Sequence, residues 1–267
     1  MKKVIFTDLD GTLLDRFSYS YNQALEAISL LHNKEIPIVF CSAKTRAEQE
    51  VYREELNIED PFIVENGGAI FIPRDYFLFP FNHHKATKDY LVIELGIPHR
   101  KVRKVLKRIK NEVGCHITGF RDMSVEEVAR DTGLDLKFAA LAKQREYDET
   151  FKIEDTQEKI ELALAKIEEA GLSYIRGGRY YAAISGNDKG KATEILIGLF
   201  RRKLNKMETI GIGDSQNDLS MLKAVDVPVL VQKLDNHWEE INLASIYKVE
   251  GVGPQGWSKA IKELIGG

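Results

Sequence analysis

Short apolar runs alternate with amphipathic segments in the first third of the chain. The runs are rich in branched and aromatic residues, which favours strands, and the segments between them carry apolar residues at helical spacing. Strands that alternate with helices form parallel sheets with right-handed crossovers, so this region predicts an α/β layer. The predicted strands are Val4–Thr7, Pro37–Cys41 and Phe62–Val64, and the predicted helices lie near Tyr21–His32 and Ala47–Leu56.

The pattern changes between about residue 83 and residue 186. Strand-like runs there alternate with helices that open with capping-box sequences, which is typical of a mixed α+β fold. After residue 187 the alternation of buried strands and helices returns. We therefore predict a parallel-sheet core formed by residues 1–82 and 187–267, with an α+β module at 83–186 inserted into it.

Local signals complete the predicted elements. An aromatic run at Tyr76–Phe81 predicts a hairpin with the strand Ala69–Pro73. Ser124 and Asp155 each lie three residues before a glutamate, as in a capping box, and Gly177-Gly178 predicts a tight turn. The elements predicted in the last third are helix Ala192–Phe200, strand Thr209–Ile212, helix Ser215–Ala224, strand Pro228–Val231 and helix Ser258–Leu264.

Two carboxylates lie at the end of the first predicted strand. Asp8 and Asp10 follow Val4–Thr7 directly, and Gly11 and Thr12 come next. Because side chains alternate along a strand and the chain turns at Gly11, both carboxylates can face the crevice where open α/β sheets bind ligands. The structural alternative is an acidic turn without a ligand.

A second acidic cluster follows a strand far downstream. The strand Thr209–Ile212 leads into Asp214, and Asn217 and Asp218 fall in the first turn of the next helix. Acids suit the positive end of a helix dipole, so helix capping is the structural alternative. If this strand and the first one are parallel neighbours, the two carboxylates of the first strand and Asp214 meet around one hard cation. Oxygen ligands favour Mg²⁺.

Two further residues complete a candidate set. Ser42 ends the second predicted strand, and Lys189 begins a helix in the segment Asp188–Ala192. Taken alone, Ser42 is explained by a helix cap and Lys189 by a surface charge. Their order in the chain favours a functional role for them. The chain carries first a carboxylate pair, then a hydroxyl, then a lysine and last a Gly-Asp-x-x-Asn-Asp sequence.

Composition and charge exclude several classes of protein. Hydrophobic residues make up 43% of the 267 residues and charged residues 30%, as in globular proteins, and no apolar stretch approaches the roughly 18 residues of a membrane span. A net charge of −3 argues against a nucleic-acid partner, and the basic face at 100–110 is best explained by solvation. Two cysteines cannot form a disulfide framework, and the first core strand starts almost at Met1, so we expect a cytoplasmic protein without a signal peptide.

This order of groups resembles the four motifs of the haloacid dehalogenase superfamily of phosphotransferases. Asp8–Thr12 matches the first motif, Ser42 the second, Lys189 the third and Gly213–Asp218 the fourth. The resemblance implies a flavodoxin-like, doubly wound parallel-sheet core. The insert lies between the second and third motifs, and its length and α+β character resemble the type-IIB cap that lies over the core in one branch of the superfamily.

The resemblance also implies roles for the motif residues. Asp8 is the implied nucleophile, which forms an aspartyl phosphate, and Asp10 is the implied general acid and base. Lys189 is expected to neutralise the phosphoryl oxygens. The other implied roles are phosphate binding by Gly11 and Ser42, Mg²⁺ binding by Asp8, the Asp10 carbonyl and Asp214, and orientation of these groups by Asn217 and Asp218.

Four segments spread over most of the chain resemble one family within this branch, the mannosyl-3-phosphoglycerate phosphatases. They are residues 41–48, 65–68, 144–151 and 177–181. The resemblance implies hydrolysis of 2-O-mannosyl-3-phosphoglycerate, a small anionic phosphorylated sugar-glycerate, to mannosylglycerate, a compatible solute. Thr150 stands where that family often has proline, so the preference for mannosyl or glucosyl substrates stays open.

Candidate substrate-binding residues lie in these segments. The carboxylate of such a substrate needs a cation, and its sugar hydroxyls need hydrogen-bond acceptors. The candidates are Lys44, Arg46, Asn66, Arg145, Glu146, Asp148 and Arg179. A solvated acidic turn is the structural alternative for Glu146 and Asp148, and an ion pair with Glu50 one helical turn away is the alternative for Arg46.

Several functions remain open on the sequence alone. One is another type-IIB phosphatase acting on glucosyl-3-phosphoglycerate, sucrose phosphate, free hexose phosphates or a flavin-type phosphate. A phosphomannomutase, which transfers the phosphoryl group, is a second, and an inactive scaffold on the same fold is a third. The scaffold is disfavoured because every motif residue is present. The sequence leaves the oligomeric state open.

Overall fold

The computed structural model describes residues 1–177 and 180–266. The strands, in chain order, are β1 (Lys2–Thr7), β2 (Ile38–Phe40), β3 (Phe62–Val64), β4 (Ala69–Pro73), β5 (Lys85–Ala86), β6 (Tyr90–Glu94), β7 (Ile117–Gly119), β8 (Glu149–Ile153), β9 (Ser173–Gly177), β10 (Tyr180–Ile184), β11 (Met207–Gly213), β12 (Val227–Gln232) and β13 (Tyr247–Val252). The α-helices are α1 (Leu25–Asn33), α2 (Arg46–Glu55), α3 (His99–Val113), α4 (Val125–Thr132), α5 (Leu136–Ala142), α6 (Gln157–Glu169), α7 (Lys189–Leu204), α8 (Leu219–Ala224) and α9 (Pro254–Ile265).

A parallel sheet with the strand order β13-β12-β11-β1-β2 forms the centre of the core. Alternate residues of β1 point to its two faces. Ile5 packs with Leu31 of α1 and Ile261 of α9, whereas Phe6 packs on the other face with Phe200 of α7 and Leu222 of α8. Both faces of the sheet are therefore covered by helices, as a doubly wound fold requires. This confirms the predicted fold class.

An antiparallel sheet with the order β3-β4-β6-β5 continues from the edge of the core. A parallel bridge between Cys41 and Ile63 links the two sheets. β4 pairs with β6 rather than with a strand at 76–81, so the predicted hairpin there is wrong. The aromatic residues of that segment instead pack against one another and against α7, with the rings of Phe77 and Phe200 edge to face at a centroid distance of 5.4 Å.

The strand pairing runs across the predicted boundary at residue 82. Because β5 and β6 are bonded to each other and β6 to β4, the sheet that begins beside the core continues to Glu94. We call residues 97–186, which follow that sheet, the cap. The division into core and cap at 82/83 and 186/187 stays a prediction.

The cap contains an antiparallel sheet with the order β7-β8-β10-β9. Apolar residues of α3 and α6 pack with Phe151 and Tyr181 of that sheet. Ser124 forms the predicted capping box with Glu127. The capping box predicted at Asp155 is wrong, because the N-cap of α6 is Thr156. The Asp155 carboxylate instead accepts the backbone N–H of Thr156. The predicted Gly177-Gly178 turn includes residue 178, which lies outside the described residues.

No helix within residues 1–177 and 180–266 is both long enough and apolar enough to cross a membrane.

Candidate active site

The pairing of β1 with β11 brings the first and fourth motifs together. The two strands are parallel neighbours with Thr7 beside Ile212, and the backbone N–H of Asp8 donates to the Ile212 carbonyl at 2.9 Å. Asp214 follows one residue after the end of β11. Both carboxylates are buried, with 5% of Asp8 and 3% of Asp214 exposed. The predicted parallel pairing of the two strands is therefore confirmed, and it places Asp8 and Asp214 at neighbouring strand ends; their role as metal ligands stays a prediction.

Gly11 makes room for Asp214. Its φ of +83° lies in the region that favours glycine, and a Cβ there would be 2.8 Å from Asp214 Oδ2. The chain can therefore turn back under the Asp214 carboxylate only with glycine at this position. The turn is closed by a backbone hydrogen bond from Gly11 to Leu14 at 2.9 Å.

Lys189 lies between two carboxylates at the start of α7. Its Nζ donates to Asp8 Oδ1 at 2.6 Å and to Asp218 Oδ1 at 2.7 Å, and 1% of the residue is exposed. Burial acts to lower the pKa of the ammonium, but the charges of Asp218 and Asp8 raise that pKa above its usual value. Lys189 is therefore a fixed cation beside the candidate nucleophile.

Asp218 orients the loop that carries Asp214. Its Oδ2 accepts the backbone N–H of Asp214 at 3.1 Å and that of Ser215 at 3.2 Å, while its Oδ1 holds Lys189. Asn217 accepts a hydrogen bond from the Ser215 hydroxyl at 2.6 Å. Through these contacts Asp218 and Asn217 fix the backbone of the fourth motif, and Asp218 also fixes the position of Lys189.

The three buried acids Asp8, Asp214 and Asp218 fit a cation site. Each offers one carboxylate oxygen, and these atoms lie within 4.8 Å of one another. Within the described chain, the buried Oδ1 of Asp214 has no hydrogen-bond partner. Burial and the Asp218 charge raise the pKa of Asp214 to about 6, and burial raises the pKa of Asp8 well above its usual range against the opposing effect of Lys189. A divalent cation would compensate this excess of buried acid with the oxygen ligands it prefers.

Asp10 lies at the mouth of this site. Its carboxylate is one-third exposed, and Lys44 Nζ lies 3.0 Å from its Oδ1 and 3.5 Å from Glu48 Oε1. Ser42, at the end of β2, is buried, and its hydroxyl accepts the backbone N–H of Lys44 at 3.2 Å. Lys44 therefore holds the Asp10 carboxylate in place from the side of the second motif.

Arg145 and Asp148 of the cap form a buried ion pair, and each also bonds to the core. Arg145 Nε donates to Asp148 Oδ1, and Arg145 Nη2 donates to the carbonyl of Ala43 at 2.8 Å. Asp148 Oδ2 accepts a hydrogen bond from Asn66 Nδ2 at 3.1 Å. Only 5% of the Arg145 side chain and none of the Asp148 side chain is exposed.

Glu65 ties the same cap segment to the core. Its carboxylate accepts the backbone N–H groups of Glu146, Tyr147 and Asp148 at 2.9, 2.8 and 2.9 Å. Burial and the charge of Asp148 raise the pKa of Glu65 to about 8, against the opposing effect of Arg145 and of the backbone donors. The three hydrogen bonds fix the path of the cap chain where it passes the core. The sequence analysis did not select Glu65, because a single acid in a turn carries no signal of a partner 81 residues away.

Arg46 also joins core and cap. Its Nε donates to Glu146 at 2.9 Å and its Nη1 to Glu50 at 2.9 Å, so the alternative ion pair within α2 is present. We call the paired residues Arg46, Glu65, Asn66, Arg145, Glu146 and Asp148 the cap joint. Their assignment to substrate binding, with that of Lys44, stays a prediction, because their charged groups already contact one another. Arg179 lies outside the described residues.

An open cleft of about 650 Å³ lies beside Asp214. Its walls come from the turn after β1, from β9 of the cap and from the segment that follows β12. The lining residues that bear on chemistry are Gly11, Arg16, Arg176, Asp214, Asn217 and Lys233. Asp214 is therefore reached from a space bounded by both core and cap.

The comparison with known families decides the relationship. A model of the haloacid dehalogenase-like hydrolases matches residues 5–241, which include both acidic strand ends, Ser42 and Lys189. The chain belongs to the haloacid dehalogenase-like hydrolase family.

Named relatives of this haloacid dehalogenase-like hydrolase cover almost its whole length. A glucosyl-3-phosphoglycerate/mannosyl-3-phosphoglycerate phosphatase of Methanococcoides burtonii is 50% identical, over 100% of this chain and 98% of the relative. A mannosyl-3-phosphoglycerate phosphatase of Pyrococcus horikoshii is 40% identical, over 93% of this chain and 98% of the relative. A solved subclass IIB sugar phosphatase of the superfamily, 19% identical, shares the fold with a TM-score of 0.64 over 98% of this chain and 99% of its own.

Phosphatases of this family generally use a divalent metal ion, and the residues of this haloacid dehalogenase-like hydrolase fit one. The acids Asp8 and Asp214 face each other across neighbouring strand ends, and one buried oxygen of Asp214 lacks a hydrogen bond among the described residues. Sequence reasoning missed the support beneath them. Trp257 Nε1 donates to the Thr7 hydroxyl at 3.0 Å, and that hydroxyl donates to the Asp8 carbonyl at 2.7 Å. A tryptophan 250 residues away in the chain gives no local signal of this role.

Proposed function

We propose that the chain, a haloacid dehalogenase-like phosphatase, hydrolyses 2-O-mannosyl-3-phosphoglycerate to mannosylglycerate and phosphate through an aspartyl phosphate. The observation that carries the proposal is the buried Lys189, whose ammonium lies 2.6 Å from Asp8 at the strand end. The names of relatives at 50% and 40% identity support the substrate. Because the first of these is named for both sugars, the glucosyl analogue is the second candidate.

The first step forms the aspartyl phosphate. An Asp8 carboxylate oxygen attacks phosphorus, the bond from phosphorus to the substrate oxygen breaks, and protonated Asp10 gives its proton to the leaving alkoxide. Lys189 offsets negative charge on the phosphoryl group from the side of Asp8, and a Mg²⁺ ion bound by Asp8, Asp214 and the Asp10 carbonyl would supply further charge neutralisation there. Ser42 and the backbone near Gly11 donate hydrogen bonds to the phosphoryl oxygens.

The second step releases phosphate. Asp10, now ionised, takes a proton from a water molecule whose oxygen attacks phosphorus, and the bond to Asp8 breaks. Asp10 suits both tasks because its carboxylate is one-third exposed at the mouth of the site and is held there by Lys44 at 3.0 Å. Asp8, by contrast, is almost fully buried and faces Lys189, as a nucleophile that must be shielded from bulk water does.

Removal of divalent metal is expected to abolish the activity. Asp8 and Asp214 are buried acids whose pKa values are raised in the absence of a cation, so the site lacks charge compensation when the metal is removed. We expect EDTA treatment followed by desalting to stop phosphate release, and Mg²⁺ to restore it. Undiminished turnover in metal-free buffer would contradict the proposed role of the acids.

A substrate series tests the proposed function. Values of kcat/KM are measured for phosphate release from mannosyl-3-phosphoglycerate, glucosyl-3-phosphoglycerate, sucrose phosphate and mannose phosphate, without a bisphosphate activator. We expect higher kcat/KM values for the two glycosyl-phosphoglycerates than for sucrose phosphate and mannose phosphate. A preference for a free hexose phosphate would contradict it, and conversion of mannose phosphate into an isomer without net phosphate release would identify a mutase.

A further inference from the structure

The arginines near the site differ in whether their charge is already paired. Arg46 forms ion pairs with Glu50 and Glu146, and Arg145 forms one with Asp148, so the charges of both arginines are already paired. Within residues 1–177 and 180–266, neither Arg16 nor Arg176 forms an ion pair or a side-chain hydrogen bond. Both of these line the cleft beside Asp214.

Arg16 reaches the cleft from the core. The turn that carries it is held by Asp15, whose Oδ1 accepts the backbone N–H of Ser18 at 2.8 Å and that of Phe17 at 3.1 Å. The Arg16 Cδ lies 3.5 Å from the point where a Cβ on Gly11 would be. The side chain therefore passes directly over the phosphate-binding turn, and its guanidinium is exposed to the cleft.

Arg176 reaches the cleft from the cap. It lies on β9, the edge strand of the cap sheet, and its guanidinium carbon is 5.9 Å from the centre of the Tyr181 ring. The residue is exposed, and a ring contact leaves the donors of the guanidinium free. Arg16 and Arg176 thus approach one space from two different parts of the fold.

Two other acids that line the cleft, Glu239 and Asp235, already have partners. Lys233 forms an ion pair with Glu239, and His237 contacts Asp235. Among the described residues, Arg16 and Arg176 are therefore the arginines that line the cleft without forming an ion pair. An anionic group of a ligand would find its complement here, at the opening above Asp214.

We propose that Arg16 and Arg176 bind the carboxylate of the phosphoglycerate part of the substrate, one from the core and one from the cap. This rests on the proposed function, because it needs a substrate that carries a carboxylate in addition to its phosphate. A guanidinium binds a carboxylate through two parallel hydrogen bonds, which gives direction as well as charge. Because the two arginines belong to core and cap, the bound carboxylate also holds the cap against the site during turnover.

The test compares substrates that differ only in the carboxylate. In the wild-type protein, 3-phosphoglycerate and glycerol 3-phosphate are measured beside the full glycosyl substrate, and Arg16→Ala and Arg176→Ala are measured with all three. Loss of a hydrogen-bonded charge pair corresponds to a fall on the order of 10- to 100-fold in kcat/KM. We expect this fall for both carboxylate substrates, a value for glycerol 3-phosphate that stays near that of the wild type, and partial recovery in Arg176→Lys.

Arg201→Ala is the matched control, because it removes an exposed arginine from the last turn of α7, away from the cleft. Equal loss with all three substrates, or loss with none, would overturn the proposal. The proposed function fails separately. The wild-type protein could fail to hydrolyse the glycosyl substrate and still prefer 3-phosphoglycerate to glycerol 3-phosphate, with that preference lost in Arg16→Ala and Arg176→Ala. This result would support the carboxylate site and contradict the sugar assignment.

Discussion

Replacing Asp8 by Asn is expected to lower kcat on the order of 10³-fold or more, because loss of a nucleophile is among the largest single losses an enzyme shows. The change keeps the shape of the side chain and removes the attacking carboxylate. It also removes one of the two charges that hold Lys189, whose Nζ contacts Asp8 and Asp218. We expect the loss with the glycosyl substrate and with p-nitrophenyl phosphate alike, since both must pass through the same phosphoryl-enzyme.

Asp75→Asn provides a matched control for this substitution. Asp75 is exposed in the turn after β4 and has a φ of +63°, which asparagine also adopts readily. It should keep the activity of the wild-type protein, which shows that removal of a carboxylate elsewhere is harmless. Retention of more than a few per cent of the activity by Asp8→Asn would exclude the covalent route through this residue.

Replacing Arg145 by Ala is expected to lower the free energy of unfolding by about 3–5 kcal/mol, the cost of leaving one charge of a buried pair without its partner. Asp148 would remain fully buried with Asn66 as its remaining donor. Chemical denaturation measured by circular dichroism checks the value. We expect the activity of the folded fraction to fall equally for the glycosyl substrate and for p-nitrophenyl phosphate.

Arg46→Ala is the matched control within the cap joint. It removes the same type of side chain, but 35% of the Arg46 side chain is exposed, so its ion pairs are screened by solvent and the expected loss is about 1 kcal/mol or less. A selective loss of the glycosyl reaction in Arg145→Ala, with stability unchanged, would instead support the substrate-binding role predicted from the sequence.

The acidic strand ends could be predicted from the sequence because each signal is local. Asp8 follows an apolar run, Asp214 follows another, and parallel strands present their carboxyl ends at the same edge of a sheet. Only the assumption that β1 and β11 are neighbours was long-range, and the structure confirms it. Gly11 was likewise visible as the turn after the acids, although its close approach to Asp214 was not.

The cap joint could not be predicted in the same way. The sequence shows that Arg145 and Asp148 are charged, but whether they face a substrate or each other depends on residues such as Glu65 and Asn66, about 80 positions away. In the structure the two side chains are buried and contact each other, and their assignment to substrate binding stays a prediction.

One predicted strand does not form and one strand was missed, because the hydrophobic pattern was misleading in the first case and weak in the second. The alternation of Phe77 and Phe79 with polar or exposed neighbours resembles a strand pattern, but these two rings pack against each other, and Phe77 packs against Phe200, without backbone pairing to β4. β13 was not predicted. It is an edge strand whose residues are all described, and Val249 is its only buried residue. Edge strands with few buried positions carry little hydrophobic pattern.

The most direct test of the proposed mechanism is to trap the phosphoryl group on the enzyme during turnover. The wild-type protein and Asp10→Asn are mixed with excess mannosyl-3-phosphoglycerate and Mg²⁺, quenched in acid within milliseconds to seconds, digested and analysed by mass spectrometry. We expect one phosphoryl group on Asp8, accumulating in Asp10→Asn because its second step lacks the general base, and none in Asp8→Asn. A phosphoryl group on any other residue, or phosphate release at the wild-type rate by Asp8→Asn, would contradict the assignment of Asp8 as the nucleophile.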